Sequence, residues 1–463
     1  MKNRNFLLIL LMSLGLFSCT ESIMQDINED KNHPADMASK FIITDVINNT
    51  SFSVIGSDFS FYASVYVEYN VGVHGQMYNA EIRIGEPTSA TTYNNSWNNV
   101  YSNLLNLKKV IEKCSPGGSE ESDTAVLGIA QVLSAYNLAT LTDLMGDVPW
   151  TEALQPGVIW TPVLDKQQSL YEVINKLITD GIANLEKTSS VPVIGTQDPI
   201  YKGVASNWVK FAYGLKARLA MRLSKVKPDY DAVIDAANKS FTAKGEEALF
   251  KCGTIKNPFS IFLTDRKAMG ASQSLHDKLV AKNDPRDGKF FKPYPGTSEL
   301  IFAPNGNPNQ VQGSYGVSAL STSTPTAPIY LMSYHELEFL KAEAYARKED
   351  LINAKIHLKN AVITAFTNVG IDAEDATDYY TASIEPKLKN PADALKEIMM
   401  QKYLGLFEGE SLETYNDIRR LKAMGEGDFI PLANTKNFPL RFTYGAEDVT
   451  TNKNVAEAYG DGS

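Results

Sequence analysis

The chain is dominated by apolar positions three and four residues apart. Val100, Leu104, Leu107 and Ile111 step by four, three and four, and Val126, Ile129, Leu133 and Tyr136 by three, four and three. Leu170, Ile174, Leu177, Gly181 and Leu185 continue the pattern, as do Phe211, Leu215 and Leu219. Further on come Leu337, Leu340 and Ala344, then Ala354, Leu358, Ala361 and Ala365. Each set draws one apolar stripe down a helix, and the plain reading of every stripe is core packing. The helices fall into pairs. A short polar turn, KED, separates residues 333–347 from 351–367, and EGE separates 392–407 from 411–424. Short connections make antiparallel neighbours. Small residues at Ala344, Ala354 and Ala361 permit close helix contact. The expected fold is mainly α, a tetratricopeptide-like scaffold of about four helix pairs, although no 34-residue consensus repeats cleanly.

Two stretches break the helical period. Residues 71–96 and 283–328 are polar, punctuated by Gly and Pro, and carry tyrosines. Helix is excluded over most of their length. Loops this long in a compact domain are functional or disordered, and the tyrosines argue for function. They are expected to form the working surface laid over the scaffold.

The N-terminus has its own pattern. Lys2 and Arg4 precede an apolar run from Phe6 to Phe17, too short for a membrane-spanning helix and suited to a secretion signal. It ends in Leu16-Phe17-Ser18-Cys19, which resembles a bacterial lipobox, with Phe17 bulkier than the usual residue there. Cys19 is thus the expected lipidation site, the alternative being a plain signal with an incidental cysteine. Two or three acyl chains hold a protein at a membrane where one does not. Glu21, Asp26, Glu29 and Asp30 make an acidic tether. The expected organisation is a signal over 1–18, a lipidated tether over 19–34 and a single helical domain over 35–463.

Composition narrows the function. The net charge of −10 argues against a nucleic-acid partner, whose phosphates demand a Lys/Arg face. Beyond Cys19 there are only Cys114 and Cys252, a disulfide or two buried thiols. The five histidines are spaced too widely for a local zinc pair, and no phosphate loop or nucleophile elbow is present, so no metal, cofactor or catalytic residue is expected. Asp143/Asp147 and Glu413/Asp417 are carboxylate pairs four residues apart. They sit in segments that read as structural, so glycan hydrolysis is not expected of them.

Three segments carry a resemblance. LTDLMGDVPWTEAL (141–154), PIYLMSYHELEFLKAEAYARKED (328–350) and IMMQKYLGLFEGESLETYNDIRRL (398–421) resemble the conserved motifs of the SusD/RagB family of Bacteroidetes nutrient-uptake lipoproteins. NDPR (283–286) and the end RFTYGAEDVTTNKNVAEAY (441–459) fit as well, and NEDKNHP (28–34) resembles the family's entry motif with Lys31 in place of Pro. The chain's length suggests the SusD-like 2 branch. The resemblance implies four tetratricopeptide-like pairs, an outer-membrane location facing the cell exterior, and a SusC-like TonB-dependent transporter as partner. It also implies scaffold roles for Asp143, Asp147 and Pro149 at a helix exit. Tyr334, Glu336 and Glu343 would pair with Arg419 and Arg420.

For the ligand, flat aromatic faces with a few aimed polar groups suit sugar rings, whereas a peptide would use backbone hydrogen bonds and side-chain pockets. The first loop offers His74, Gln76, Tyr78, Asn79, Arg83 and Tyr93, and the second Tyr294, Asn309, Gln310 and Tyr315. Tyr78, Arg83, Tyr93, Tyr294 and Tyr315 are the candidate ligand contacts, with Trp97 as either core or the floor of the site. Trp160, after a Pro-Gly turn, is a weaker candidate. The expected ligand is an oligosaccharide. Oligopeptide capture, as on the RagB side of the family, and a scaffold that mainly docks the transporter are the alternatives.

Overall fold

The computed structural model describes residues 37–84, 92–188 and 191–460. The signal, the tether and Cys19 lie outside the described residues. The helices are α1 (Ser39–Asn49), α2 (Asp58–Tyr66), α3 (Gly75–Glu81), α4 (Asn94–Cys114), α5 (Thr124–Met145), α6 (Gln167–Leu185), α7 (Ala205–Arg222) and α8 (Tyr230–Asn238). Then come α9 (Pro258–Arg266), α10 (Gln273–Ala281), α11 (Asp287–Phe290), α12 (Ala319–Ser323), α13 (Tyr334–Arg347), α14 (Leu351–Asn368) and α15 (Ala373–Tyr379). The chain closes with α16 (Pro391–Gly405), α17 (Ser411–Met424), α18 (Ala446–Thr451) and α19 (Lys453–Gly460).

Capping residues set many of these boundaries. Asp123 accepts the Val126 N–H at 3.1 Å to open α5, and Asn390 with Pro391 opens α16. Gly425, at φ +80°, ends α17. Helix α5 is the axis of the scaffold, packed between α4 and α6. It is apolar almost all round, long and apolar enough to cross a membrane, yet 83% of its most apolar window is buried inside the protein. Gly181, which interrupts the α6 stripe, has a packing reason. It meets Gly128 of α5 so closely that a Cβ on Gly128 would lie 2.8 Å from the Gly181 carbonyl. Fully buried aliphatic side chains such as Leu133 and Ile174 are each worth roughly 1.5–3 kcal/mol.

The expected pair 333–347/351–367 is α13/α14, packed along each other. The second expected pair is present as α16 and α17, but its members look elsewhere. Helix α16 packs chiefly on α13 and α14, and α17 on α2. They meet through the Lys402–Asp417 ion pair at 2.6 Å. That pair belongs to a buried network linking three helices. Arg420 grips Glu343 (2.6 and 2.8 Å) and Asp417 (3.0 Å), and Arg347 adds a bond to Glu343 at 2.7 Å. Burial pushes the Glu343 carboxyl up, but Arg420 and Arg347 outweigh it and hold it at about 2. Glu336, expected to pair with Arg419 or Arg420, turns instead to Arg218 of α7. Arg419 donates to the backbone carbonyls of Asp143 and Leu440.

Strands are short and occur only in two-stranded antiparallel pairs among the described residues. They are β1 (Asn70–Gly72) with β5 (Met269–Ala271), β2 (Val148–Pro149) with β3 (Leu164–Asp165), β4 (Ala248–Phe250) with β8 (Ile329–Met332), and β6 (Phe291–Lys292) with β7 (Val317–Ser318). The two polar stretches are therefore not wholly irregular. The first holds α3 and part of β1, and the second holds α11, β6, β7 and α12. Cys114 and Cys252 are both free thiols, buried.

Candidate ligand-binding face

The loops gather where β1 pairs with β5, Asn70 opposite Ala271. Two more strips of extended backbone join there. The Ala271 N–H donates to Gly316 at 2.7 Å, and the Ala303 N–H donates to Ala271 at 2.8 Å. Val71, Val73 and Ala303 make a small apolar patch beneath, with Tyr315 packed on it half-buried. Tyr78, on α3, donates its hydroxyl to the Pro308 carbonyl at 2.8 Å. A side chain at Gly313 would come within 3.5 Å of the Tyr294 hydroxyl, so Tyr294 lies over the same segment. Three predicted tyrosines thus border the 303–316 loop, each half-buried.

Two buried carboxylates pin these loops. Glu81 accepts the N–H of Gly72 at 3.2 Å and of Gly306 at 2.6 Å. Gly306 sits at φ +70°, where a Cβ would also lie 2.9 Å from Asn434 Oδ1, so glycine is required there. Asn434 in turn donates to the Glu81 carbonyl at 2.7 Å. Glu68 accepts the N–H of Ala433 (2.9 Å) and Asn434 (2.6 Å) and the Ser274 hydroxyl (2.5 Å). Segments 68–84, 303–316 and 433–436 are thereby tied together. Burial pushes the Glu81 carboxyl up to about 7, against the pull of the Gly306 N–H and of Arg83. Arg83 is held beside this knot, its guanidinium 4.9 Å from the Tyr66 ring centre.

Tyr93 is corrected to a core residue, and of the two places open to Trp97 it takes the core. Tyr93 is 1% exposed and stacks on Phe442 at 4.2 Å, its hydroxyl 2.8 Å from that of Tyr66. Trp97 is 1% exposed, with Nε1 donating to Asp448 at 2.6 Å and Gly445 pressed on its ring. The C-terminal segment 442–448 folds over both and takes the aromatic faces a ligand would need. Trp97, three residues before Val100, extends the buried stripe of α4, and Tyr93 is the residue just before the helix.

The carboxylate pairs are committed to ion pairs. Asp143 binds Arg222 at 3.0 Å, and Asp147 binds Lys166 at 2.8 Å. Glu413 pairs with Arg222, and Asp417 with Lys402 and Arg420. Among the described residues no group of three or more His, Cys, Asp and Glu is placed to hold a metal. The pinning carboxylates Glu68 and Glu81 were missed from sequence. A lone Glu between apolar neighbours, as in NAEIRI, was the available signal.

Residues 31–445 match the model of a family described as "Starch-binding associating with outer membrane", SusD-like 2. The chain belongs to the SusD-like family. A crystal structure of a SusD/RagB family protein from Bacteroides thetaiotaomicron is 40% identical, with a TM-score of 0.82, covering 92% of this chain and 97% of that one. A chitin-binding SusD homolog from Flavobacterium johnsoniae shares the fold at 17% identity and a TM-score of 0.71, covering 90% and 95%. A protein described as chitin-binding does so at 23% identity and a TM-score of 0.72, covering 92% and 96%. No curated protein matches the chain. The helical SusD-like architecture expected from the sequence is the one found.

Proposed function

We propose that this SusD-like protein is a surface lipoprotein, anchored through Cys19, that captures an oligosaccharide and passes it to a SusC-like TonB-dependent transporter. The observation that carries the reading is the face around the 303–316 loop. Half-buried Tyr78, Tyr294 and Tyr315 border one backbone segment, with Arg83 nearby and exposed His74, Gln76 and Asn79 at the edge. Aromatic faces stack on sugar C–H faces, and polar groups take the hydroxyls. The loops are fixed by Glu68 and Glu81, so the face is ordered before a ligand arrives and less entropy is lost on binding. The family's description as starch-binding and outer-membrane associated, and the chitin binding of two neighbours, favour a glycan. The acyl chains on Cys19 would hold the protein at the membrane, and the acidic tether would let the domain reach its transporter.

The test is calorimetry on residues 20–463 with malto- and chito-oligosaccharides and a peptide panel. Saturable oligosaccharide binding that weakens in Tyr78→Ala and Tyr315→Ala supports the reading. Saturable peptide binding with no sugar binding overturns it.

A further inference from the structure

Residues 150–163 form a second ordered loop, whose hydrogen bonds do not reach the tyrosine face. Its ends are closed by β2 and β3, Val148 opposite Asp165 and Pro149 opposite Leu164. Compact loops with joined ends are a common place for function. Asp165 accepts the N–H groups of Trp150 and Thr151 at 2.9 and 2.8 Å. Glu152 accepts the Val163 N–H at 3.0 Å, and Lys108 donates to the Leu154 carbonyl at 3.0 Å. From the far side, Asn454 and Asn452 donate to the carbonyls of Thr161 and Pro162, each at 2.9 Å. The backbone is therefore held on both sides of Trp160, while the indole itself is 79% exposed.

A tryptophan left in water on a held loop is unusual, because its ring is among the largest apolar surfaces a side chain can bury. Two further apolar side chains in the same loop are exposed, Val158 at 73% and Val163 at 45%. Glu152 and Thr161 lie beside them, partly exposed. Val158, Trp160 and Val163 are the exposed large apolar side chains of this loop. The exposed indole offers a flat face on which a sugar ring can stack, with the Glu152 carboxylate and the Thr161 hydroxyl in the same loop.

We propose that Trp160 is a second carbohydrate contact, a stacking platform for a pyranose ring of a glycan chain, separate from the tyrosine face. The proposal rests on the glycan reading given above. It means that a long glycan is held at two places and a short oligosaccharide at one, so that chain length sets affinity through effective concentration.

The experiment compares residues 20–463 with Trp160→Ala and Trp160→Phe. Malto- and chito-oligosaccharides of increasing length are titrated by calorimetry and by tryptophan fluorescence. Trp97 and Trp208 are buried and Trp150 is half-buried, so a change in the exposed emission reports Trp160. The expected result is a loss of about tenfold or more in affinity for long chains in Trp160→Ala, little loss for the shortest, and recovery in Trp160→Phe. The sugar-induced emission shift should vanish in both variants. Wild-type binding that Trp160→Ala leaves intact at every length overturns this proposal and spares the glycan reading. If Trp160→Ala binds sugars normally but no longer co-purifies with the transporter, the platform belongs to a protein partner and the sugar proposal falls. No glycan binding by the wild type removes the glycan reading and this proposal together.

Discussion

Glu343 and Asp417 of the scaffold and Glu81 of the loop face are buried carboxylates held in opposite ways. Between α13, α16 and α17, Glu343 and Asp417 are surrounded by Arg420, Arg347 and Lys402, and the cations keep both ionised. At the loop face Glu81 is held mainly by backbone N–H groups, without a close ion pair among the described residues. Burial then prevails and raises its proton affinity. The Glu343–Arg420–Asp417 network is locked by charge, whereas the loop knot carries a group that titrates near neutrality.

The strongest way to break the scaffold side is Glu343→Gln. It leaves two buried guanidiniums short of their shared carboxylate, and a loss of about 3–5 kcal/mol is expected in urea unfolding. The pH dependence that Glu343 and Glu81 contribute should have opposite sign. The folded Glu343 carboxyl, at about 2, lies below its ordinary value of 4.5, so its contribution is full above about 4.5 and is lost as pH falls toward 2. The folded Glu81 carboxyl, at about 7, lies above 4.5. Its contribution is full below about 4.5 and is lost as pH rises through 7. Between those values Glu81 should remove on the order of 3 kcal/mol, and Glu81→Gln should flatten that part of the stability profile. An unchanged profile in Glu81→Gln would show that the knot does not titrate.

Smaller effects sharpen the contrast between face and core. Tyr315→Ala should weaken oligosaccharide binding by about tenfold, roughly 1.4 kcal/mol, with the melting temperature little changed. Tyr93→Phe should do the reverse. It removes the hydroxyl that meets Tyr66, costs about 1 kcal/mol of stability, and leaves the affinity measured by calorimetry where it was. A Tyr93→Phe variant that lost ligand but kept its stability would return Tyr93 to the binding face.

What was legible in the sequence followed the reach of its signals. The stripes of α4 to α7 and the α13/α14 pair were readable because helix periodicity is local and repeated. The loop positions of Tyr294 and Tyr315 were readable from composition, whereas Tyr78, expected on a loop, lies on the short helix α3. Their assembly around residues 303–316 was not readable, because it depends on Glu68 and Glu81 reaching segments hundreds of residues away in the chain. Tyr93 misled, and Trp97 was left between core and site floor, because an aromatic beside a polar loop looks the same whether the C-terminal segment covers it or not. The partners of α16 and α17 were missed for a related reason. A short connection fixes closeness at the turn, but the ion pairs and apolar stripes choose which neighbour each helix lies along.

Helix α5 carries a consequence for how such a chain is made. A polypeptide exported through a narrow channel passes it unfolded, and a stretch as apolar as Thr124–Met145 can slip sideways into lipid on the way. Gln131 and Asn137 stand in that stretch. In the finished fold Asn137 bonds to Thr50 and meets Asn103, while Gln131 accepts from Asn184. Before those partners arrive, two bare amides make a bilayer a poor resting place. The residues that specify the inside of the folded protein would also make the unfolded stretch a poor fit to a lipid bilayer.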